Sequence, residues 1–106
     1  MAMDRIEKLK EFLSKEPEDP FIKHALALEY WKAGDMAAAR GLLEEVLTKD
    51  VAAVGSYYQL GKLLEGMGEA RLALEWYEKG MAAAKTAGEN RAYNELRAAY
   101  DDLVEE

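Results

Sequence analysis

Residues 57 to 77 read YYQLGKLLEGMGEARLALEWY, and residues 23 to 43, KHALALEYWKAGDMAAARGLL, carry the same pattern 34 positions earlier. In both stretches a leucine precedes a small residue, and a glycine and then an alanine follow at fixed distances. The matching pairs are Leu26 with Leu60, Ala27 with Gly61, Gly34 with Gly68 and Ala39 with Ala73. A period of this length, with small residues where helices would cross, is typical of stacked helical hairpins that bury their apolar faces against one another.

The ends of the helices can be predicted from the turn residues. Asp19 before Pro20 is typical of a helix start, because the carboxylate can cap free backbone N–H groups and proline fits the first helical position. Gly34 can adopt the left-handed conformation that ends a helix, and Asp35 can cap the next one. The rest of the chain is rich in the helix formers Ala, Leu, Glu and Lys. The sequence therefore predicts an all-α protein, an α-solenoid of antiparallel hairpins with about six helices.

The whole chain, 1–106, is predicted to form one domain. Its parts are a half-repeat helix at 1–19, a first repeat at 20–53, a second repeat at 54–87 and a C-terminal capping helix at 88–106. The half-repeat helix carries apolar residues at a spacing of three and four, which places them on one face of the helix. These residues are Ile6, Leu9, Phe12 and Leu13.

The repeated residues resemble the signature of the tetratricopeptide repeat family, in which an aromatic residue, a leucine and a small residue mark the first helix of each hairpin. The first repeat departs from this signature, with Lys23 where the aromatic residue is expected. The second repeat supplies Tyr57, Leu60, Gly61, Leu64, Gly68, Ala73 and Tyr77. The layout is similar to that of short stand-alone bacterial members of the family. The resemblance implies a scaffold that binds another protein, and it does not identify the partner.

The charge balance excludes some classes of partner. There are 14 basic and 21 acidic residues, which gives a formal net charge of −7. Such a surface repels phosphate backbones and anionic lipid headgroups, so neither nucleic acid nor membrane is predicted as a partner. No cysteine is present, which fits a reducing compartment, and the opening MAMDRIEKLKEFL lacks the unbroken apolar stretch of a signal peptide. We therefore expect a cytoplasmic protein.

The sequence offers no set of residues suited to catalysis. His24 is the only histidine, and its neighbours on a helix, such as Ala27 and Leu28, could not orient it as a general base. His24 is therefore interpreted as a surface or groove residue. Acidic residues cluster near Glu18 and near Asp101, but neither cluster has the alternating aspartates of a calcium loop. We predict no enzyme activity, no catalytic residue, no metal site and no cofactor.

A binding site for a partner protein is implied by the resemblance, since the first helix of each hairpin in this family lines a concave groove. Carried over residue by residue, the groove would contain Phe21, His24, Leu28, Trp31, Tyr58, Lys62, Glu65, Arg91 and Asn94. Aromatic residues flanked by a few charges suit an extended peptide or a helix of a partner protein. The alternative is that the N-terminal helix folds over Phe21 and Trp31 and buries them as core.

A second candidate surface lies on the helix predicted over residues 70 to 86. Leu72 and Trp76 are four residues apart, away from the stripe expected to face inward, and Leu42 repeats the position of Trp76 one repeat earlier. If exposed, Leu42, Leu72 and Trp76 would form an apolar patch suited to a homo-dimer. The protein would then be a self-assembling structural protein. The alternative is that the last helix or a loop covers Trp76.

One known ligand class of the family is disfavoured. Members that grip the acidic C-terminal tails of chaperones resemble one another in a clamp of lysine, asparagine and arginine on three groove helices. The equivalent positions here hold His24, Leu28, Gln59, Arg91 and Glu95, of which only Arg91 fits. Because Glu95 would repel a ligand carboxylate, we predict that acidic chaperone tails do not bind.

Overall fold

The computed structural model describes residues 2–106, and their side chains from Arg5 onward. This part of the chain forms six helices and no strand, which confirms the predicted all-α solenoid. The helices are α1 (Ala2–Lys15), α2 (Pro20–Lys32), α3 (Met36–Lys49), α4 (Val54–Gly66), α5 (Ala70–Ala87) and α6 (Asn90–Val104). None of the six has both the length and the apolar composition needed to cross a membrane. The repeat limits at 20, 54 and 88 stay a prediction.

Turn residues end and start the helices as expected. The Asp19 carboxylate accepts hydrogen bonds from the backbone N–H groups of Phe21 and Ile22, at 2.9 and 3.3 Å. Gly34 has a φ of 89°, and Asp35 caps α3 by accepting from the N–H of Ala38 at 3.1 Å. The hairpin turn between α2 and α3 therefore follows from the Gly-Asp pair.

The core lies along the line where consecutive helices pack, and α4 also contacts α6. Leu43, Leu60, Leu64 and Tyr77 are its largest fully buried residues, together with Leu63, Leu96 and Val46. The small residues predicted at helix crossings are fully buried as well. These are Ala27, Ala39 and Ala73, with Gly61 beside them. Close approach of the helices therefore explains the repeated small residues.

The N-terminal helix packs against α2 through only part of its predicted apolar face. Ile6 is buried and Leu9 and Leu13 are half-buried, but 55% of Phe12 is exposed. A single neighbouring helix covers too narrow a strip to bury the whole stripe. Arg5 also links the two helices, because its Nε lies 3.0 Å from an Oε2 of Glu29, whose side chain is almost completely buried.

Lys23 shows how the first repeat tolerates a charge where the signature has an aromatic residue. Its side chain is 6% exposed, and its Nζ lies 3.2 Å from Glu18 and 3.4 Å from Glu45. Burial acts to lower the pKa of Lys23, but hydrogen bonds and charges from the two carboxylates outweigh it, so the pKa lies above its ordinary value. The aliphatic stem thus fills the site while the ammonium group keeps its partners.

Candidate functional site

Three residues of α4 form an ordered row, which we call the α4 row: Tyr58, Lys62 and Glu65. The Nζ of Lys62 lies 5.7 Å from the centroid of the Tyr58 ring and 3.7 Å from an Oε2 of Glu65. The hydroxyl of Tyr77, on α5, donates a hydrogen bond to Glu65. Burial and the charge of Glu65 raise the pKa of Tyr77, so its hydroxyl stays protonated and can donate. Each side chain of the row is therefore held by a neighbour.

A second set, the α2 row, contains Phe21, His24, Leu28 and Trp31, spaced so that they share one face of α2. Phe21 is 84% exposed, so the interpretation that the N-terminal helix buries it is wrong. Leu28 and Trp31 are half-buried, and Trp31 packs against the edge of the core. The α2 row therefore contains one largely exposed aromatic ring, that of Phe21, and one that packs partly against the core, that of Trp31.

The groove residues predicted on the last helix, α6, are less ordered than those of the α4 row. Arg91 and Asn94 are both exposed on α6. The ion pair of Arg91 is with Glu95, one turn further along the same helix, at 3.6 Å. An exposed pair of this kind adds little order, because both long side chains remain free to move. The side chains of the predicted groove that neighbours hold in place thus lie on α4, with Trp31 of α2 packed against the edge of the core.

His24 has a partner that sequence reasoning missed. Its Nδ1 lies 3.0 Å from the Oγ of Ser56, which joins α2 to the start of α4. Neighbours on the same helix give no sign of this contact, which joins residues one repeat apart, near the starts of α2 and α4. Ser56 is 3% exposed, so a substrate could not reach its hydroxyl as a nucleophile. This hydrogen bond therefore connects the first helices of the two predicted repeats.

We expect the stability of the protein to fall between about pH 7.5 and pH 5.5 partly because of His24. Burial lowers the pKa of His24 below its ordinary value. The unfolded chain therefore binds a proton more readily, and the stabilisation by neutral His24 is lost as the pH falls from about 6.5 towards the lowered pKa. Urea unfolding at both pH values measures the effect. The loss should be smaller in His24→Asn, and equal losses would contradict the assignment.

The three residues of the predicted self-association patch are only partly exposed. Leu42, Leu72 and Trp76 are all half-buried against the core. Trp76 packs against Tyr57, with ring centroids 6.1 Å apart, and the Nζ of Lys79 lies 4.5 Å from the centroid of its ring. Trp76 also lines a cleft to which Leu42 and Leu72 do not contribute, and Val51 and Ala52 of the α3–α4 loop line the same cleft. The loop therefore faces Trp76 across the cleft.

The chain was compared with family models, with known protein sequences and with solved structures. No family model matches the chain. A TPR repeat-containing protein of Pseudomonas aeruginosa is 29% identical over 91 residues, which cover 86% of this chain and 87% of that protein. The first TPR domain of Spaghetti (RPAP3), bound to the HSP90 peptide SRMEEVD, has a TM-score of 0.77 over 97% of this chain and 80% of that chain. Its sequence is only 18% identical, so this likeness concerns the fold alone.

A more similar solved structure is that of a tetratricopeptide repeat domain protein from Salinibacter ruber, determined by NMR in solution. It is 37% identical, has a TM-score of 0.79, and the match covers 82% of this chain and 88% of that chain. Both chains are thus matched over most of their length, in sequence and in fold. The protein therefore belongs to the tetratricopeptide repeat family.

Proposed function

We propose that the protein is an interaction module that binds a peptide or a helix of a partner protein across the α2 and α4 rows. The observation that carries this proposal is the order of the α4 row, in which Tyr58, Lys62 and Glu65 are held by contacts to one another and to Tyr77. Side chains that are fixed before binding lose less conformational entropy when a ligand arrives. The row is thus suited to recognition.

The apolar part of the binding energy would come from the aromatic side chains. Trp31 packs against the edge of the core, and the Tyr58 ring lies 6.5 Å from the Tyr77 ring, centroid to centroid, so each ring has a neighbour that restricts it. Large rigid side chains of this kind dominate protein interfaces, and truncating one typically costs about 2 kcal/mol or more in binding. Phe21, largely exposed on the same face as Trp31, extends the apolar surface towards the start of α2.

The charge of the protein favours a basic or mixed-charge ligand. A net charge of −7 attracts cations over a distance that shrinks as salt is added. The Spaghetti domain is bound to the acidic peptide SRMEEVD. Here Leu28 provides no polar group at one clamp position, and Glu95 would place a carboxylate at another. We therefore propose a ligand of different charge from that peptide.

Affinity capture from the native host tests this function. We expect the wild-type protein to capture a partner, and Trp31→Ala and Tyr58→Ala each to lose it while melting within a few degrees of wild type. Phe12→Ala is the matched control, because it removes an exposed aromatic ring from α1, a helix that contributes to neither row. The peptide SRMEEVD serves as a negative probe in calorimetry.

Two outcomes would count against the proposal. If Trp31→Ala or Tyr58→Ala loses most of its thermal stability, the ring belongs to the core and its loss of about 3–5 kcal/mol explains any lost capture. If both variants fold and still capture the partner, the interface lies elsewhere. Self-assembly through Leu42, Leu72 and Trp76 stays the second prediction, and wild-type protein that sediments as a dimer would favour it.

A further inference from the structure

A cleft of about 710 Å³ opens between α3 and α5, and we call it the α3–α5 cleft. Its buried surface includes Leu47 and Tyr57, Trp76 forms one wall, and the small residues Ala82 and Ala83 continue that wall along α5. The hydroxyl of Tyr57 donates a hydrogen bond to the carbonyl of Val51 at 2.7 Å, which fixes the opposite wall. The cleft is therefore a defined concavity with apolar sides.

The charge of this cleft is opposite to that of the protein. Of the described residues that line it, Lys79 alone is charged. By contrast, Asp50 lines the cleft beside His24, and three glutamates line the one beside Lys23. The α3–α5 cleft thus differs from these two clefts in having no carboxylate in its lining, although the net charge of the chain is −7. The lining itself therefore offers an anion one cationic partner and no carboxylate.

Lys79 is placed to receive such an anion. Its ammonium group lies 4.5 Å from the centroid of the Trp76 ring. None of the ion pairs formed within residues 5–106 involves Lys79. A cation held over an aromatic face retains its donors on the side away from the ring. One charged group thus stands at the rim of an apolar concavity.

We propose that the α3–α5 cleft binds a small apolar monocarboxylate, with its hydrocarbon part against Tyr57 and Trp76 and its carboxylate on Lys79. The volume lies within the range of about 300–1,000 Å³ that is usual for small-molecule sites, which are apolar with a few fixed polar groups. An acidic protein segment fits less well. Glu75, Glu78 and Asp50 are exposed next to lining residues and would repel a ligand with several negative charges.

Titration with decanoate tests the site. In Trp31→Phe protein, Trp76 is the only tryptophan, so its fluorescence reports the cleft alone. We expect saturable binding of decanoate below its micellar concentration and weaker binding of decanol and decylammonium. Lys79→Met should weaken decanoate about tenfold and leave decanol unchanged. Lys85→Met is the matched control, because it removes the same charge from an exposed residue of α5 that does not line the cleft.

A filling variant checks the place of binding. Ala82 lines the cleft but is exposed, so Ala82→Phe should occupy the space without disturbing the core, and a melting curve confirms that it folds. We expect it to abolish decanoate binding. Absence of decanoate binding, equal affinity for decanol, no effect of Lys79→Met, or undiminished binding to folded Ala82→Phe would each overturn the proposal. So would wild-type protein that dimerises without ligand and becomes monomeric in Trp76→Glu, since a second copy would then occupy the cleft.

Discussion

Tyr77→Ala is expected to lower the free energy of unfolding by about 3–5 kcal/mol, which is a large part of the stability of a domain this small. Tyr77 is fully buried, and its ring fills the space between α4 and α5 beside Gly61. Removing the ring leaves a cavity that the surrounding helices cannot close completely. Urea unfolding followed by circular dichroism measures the loss.

Tyr77→Phe separates the ring from its hydroxyl. It keeps the packing and removes only the hydrogen bond to Glu65, so we expect a loss of about 1 kcal/mol. Glu65 is half-buried and can bind water in its place. A Tyr77→Ala protein within about 1 kcal/mol of wild type would show that the ring does not carry the packing between these helices.

Gly61→Ala is expected to lower the free energy of unfolding by about 1–3 kcal/mol, although alanine is the better helix former. A Cβ at Gly61 would overlap the ring of Tyr77, with Cδ1 at 2.6 Å. The overlap is with a rigid ring in a filled core, so one of the helices has to shift. Gly41→Ala is the matched control, because Gly41 also lies within a helix but a Cβ there meets nothing within 4 Å. It should raise stability by up to about 1 kcal/mol.

The two substitutions should also interact. In the Tyr77→Ala protein the ring that opposes a Cβ at Gly61 is gone, so Gly61→Ala should become neutral or stabilising. The double-mutant cycle therefore predicts a change of sign at Gly61. If the losses in the free energy of unfolding from Tyr77→Ala and Gly61→Ala simply add, the small size of Gly61 is not needed to accommodate the Tyr77 ring. The close approach of α4 and α5 would then depend on other residues.

Much of the fold could be predicted because its signals are local. Asp19 and Pro20 begin α2, and Gly34 and Asp35 separate α2 from α3, through contacts between residues a few positions apart. The longer α5 also follows from local chemistry, since no proline interrupts it before Gly88, which ends it with a φ of 72°. Phe12 could not be predicted in the same way, because its exposure depends on how much of α1 the neighbouring helix covers.

Less of the candidate sites than of the fold can be predicted from the sequence. Membership of the α2 and α4 rows came from the family resemblance, but the bond from Tyr77 to Glu65 depends on how α5 sits against α4. The pairing of His24 with Ser56 joins residues 32 positions apart. The α3–α5 cleft combines residues from 47 to 57 with residues from 76 to 87, and no periodicity in the sequence marks a shared concavity.

The hydrogen bond from Tyr77 to Glu65 has a mechanical consequence. In the hairpin of α4 and α5, this hydrogen bond adds a directional polar contact to the packing of Tyr77 beside Gly61. Sliding α5 by one helical turn, about 5.4 Å, would carry the hydroxyl out of reach of the carboxylate. Glu65, with which Lys62 pairs within α4, would then no longer be held by Tyr77. Displacement of α5 would thus remove the contact that holds Glu65 of the α4 row from outside α4.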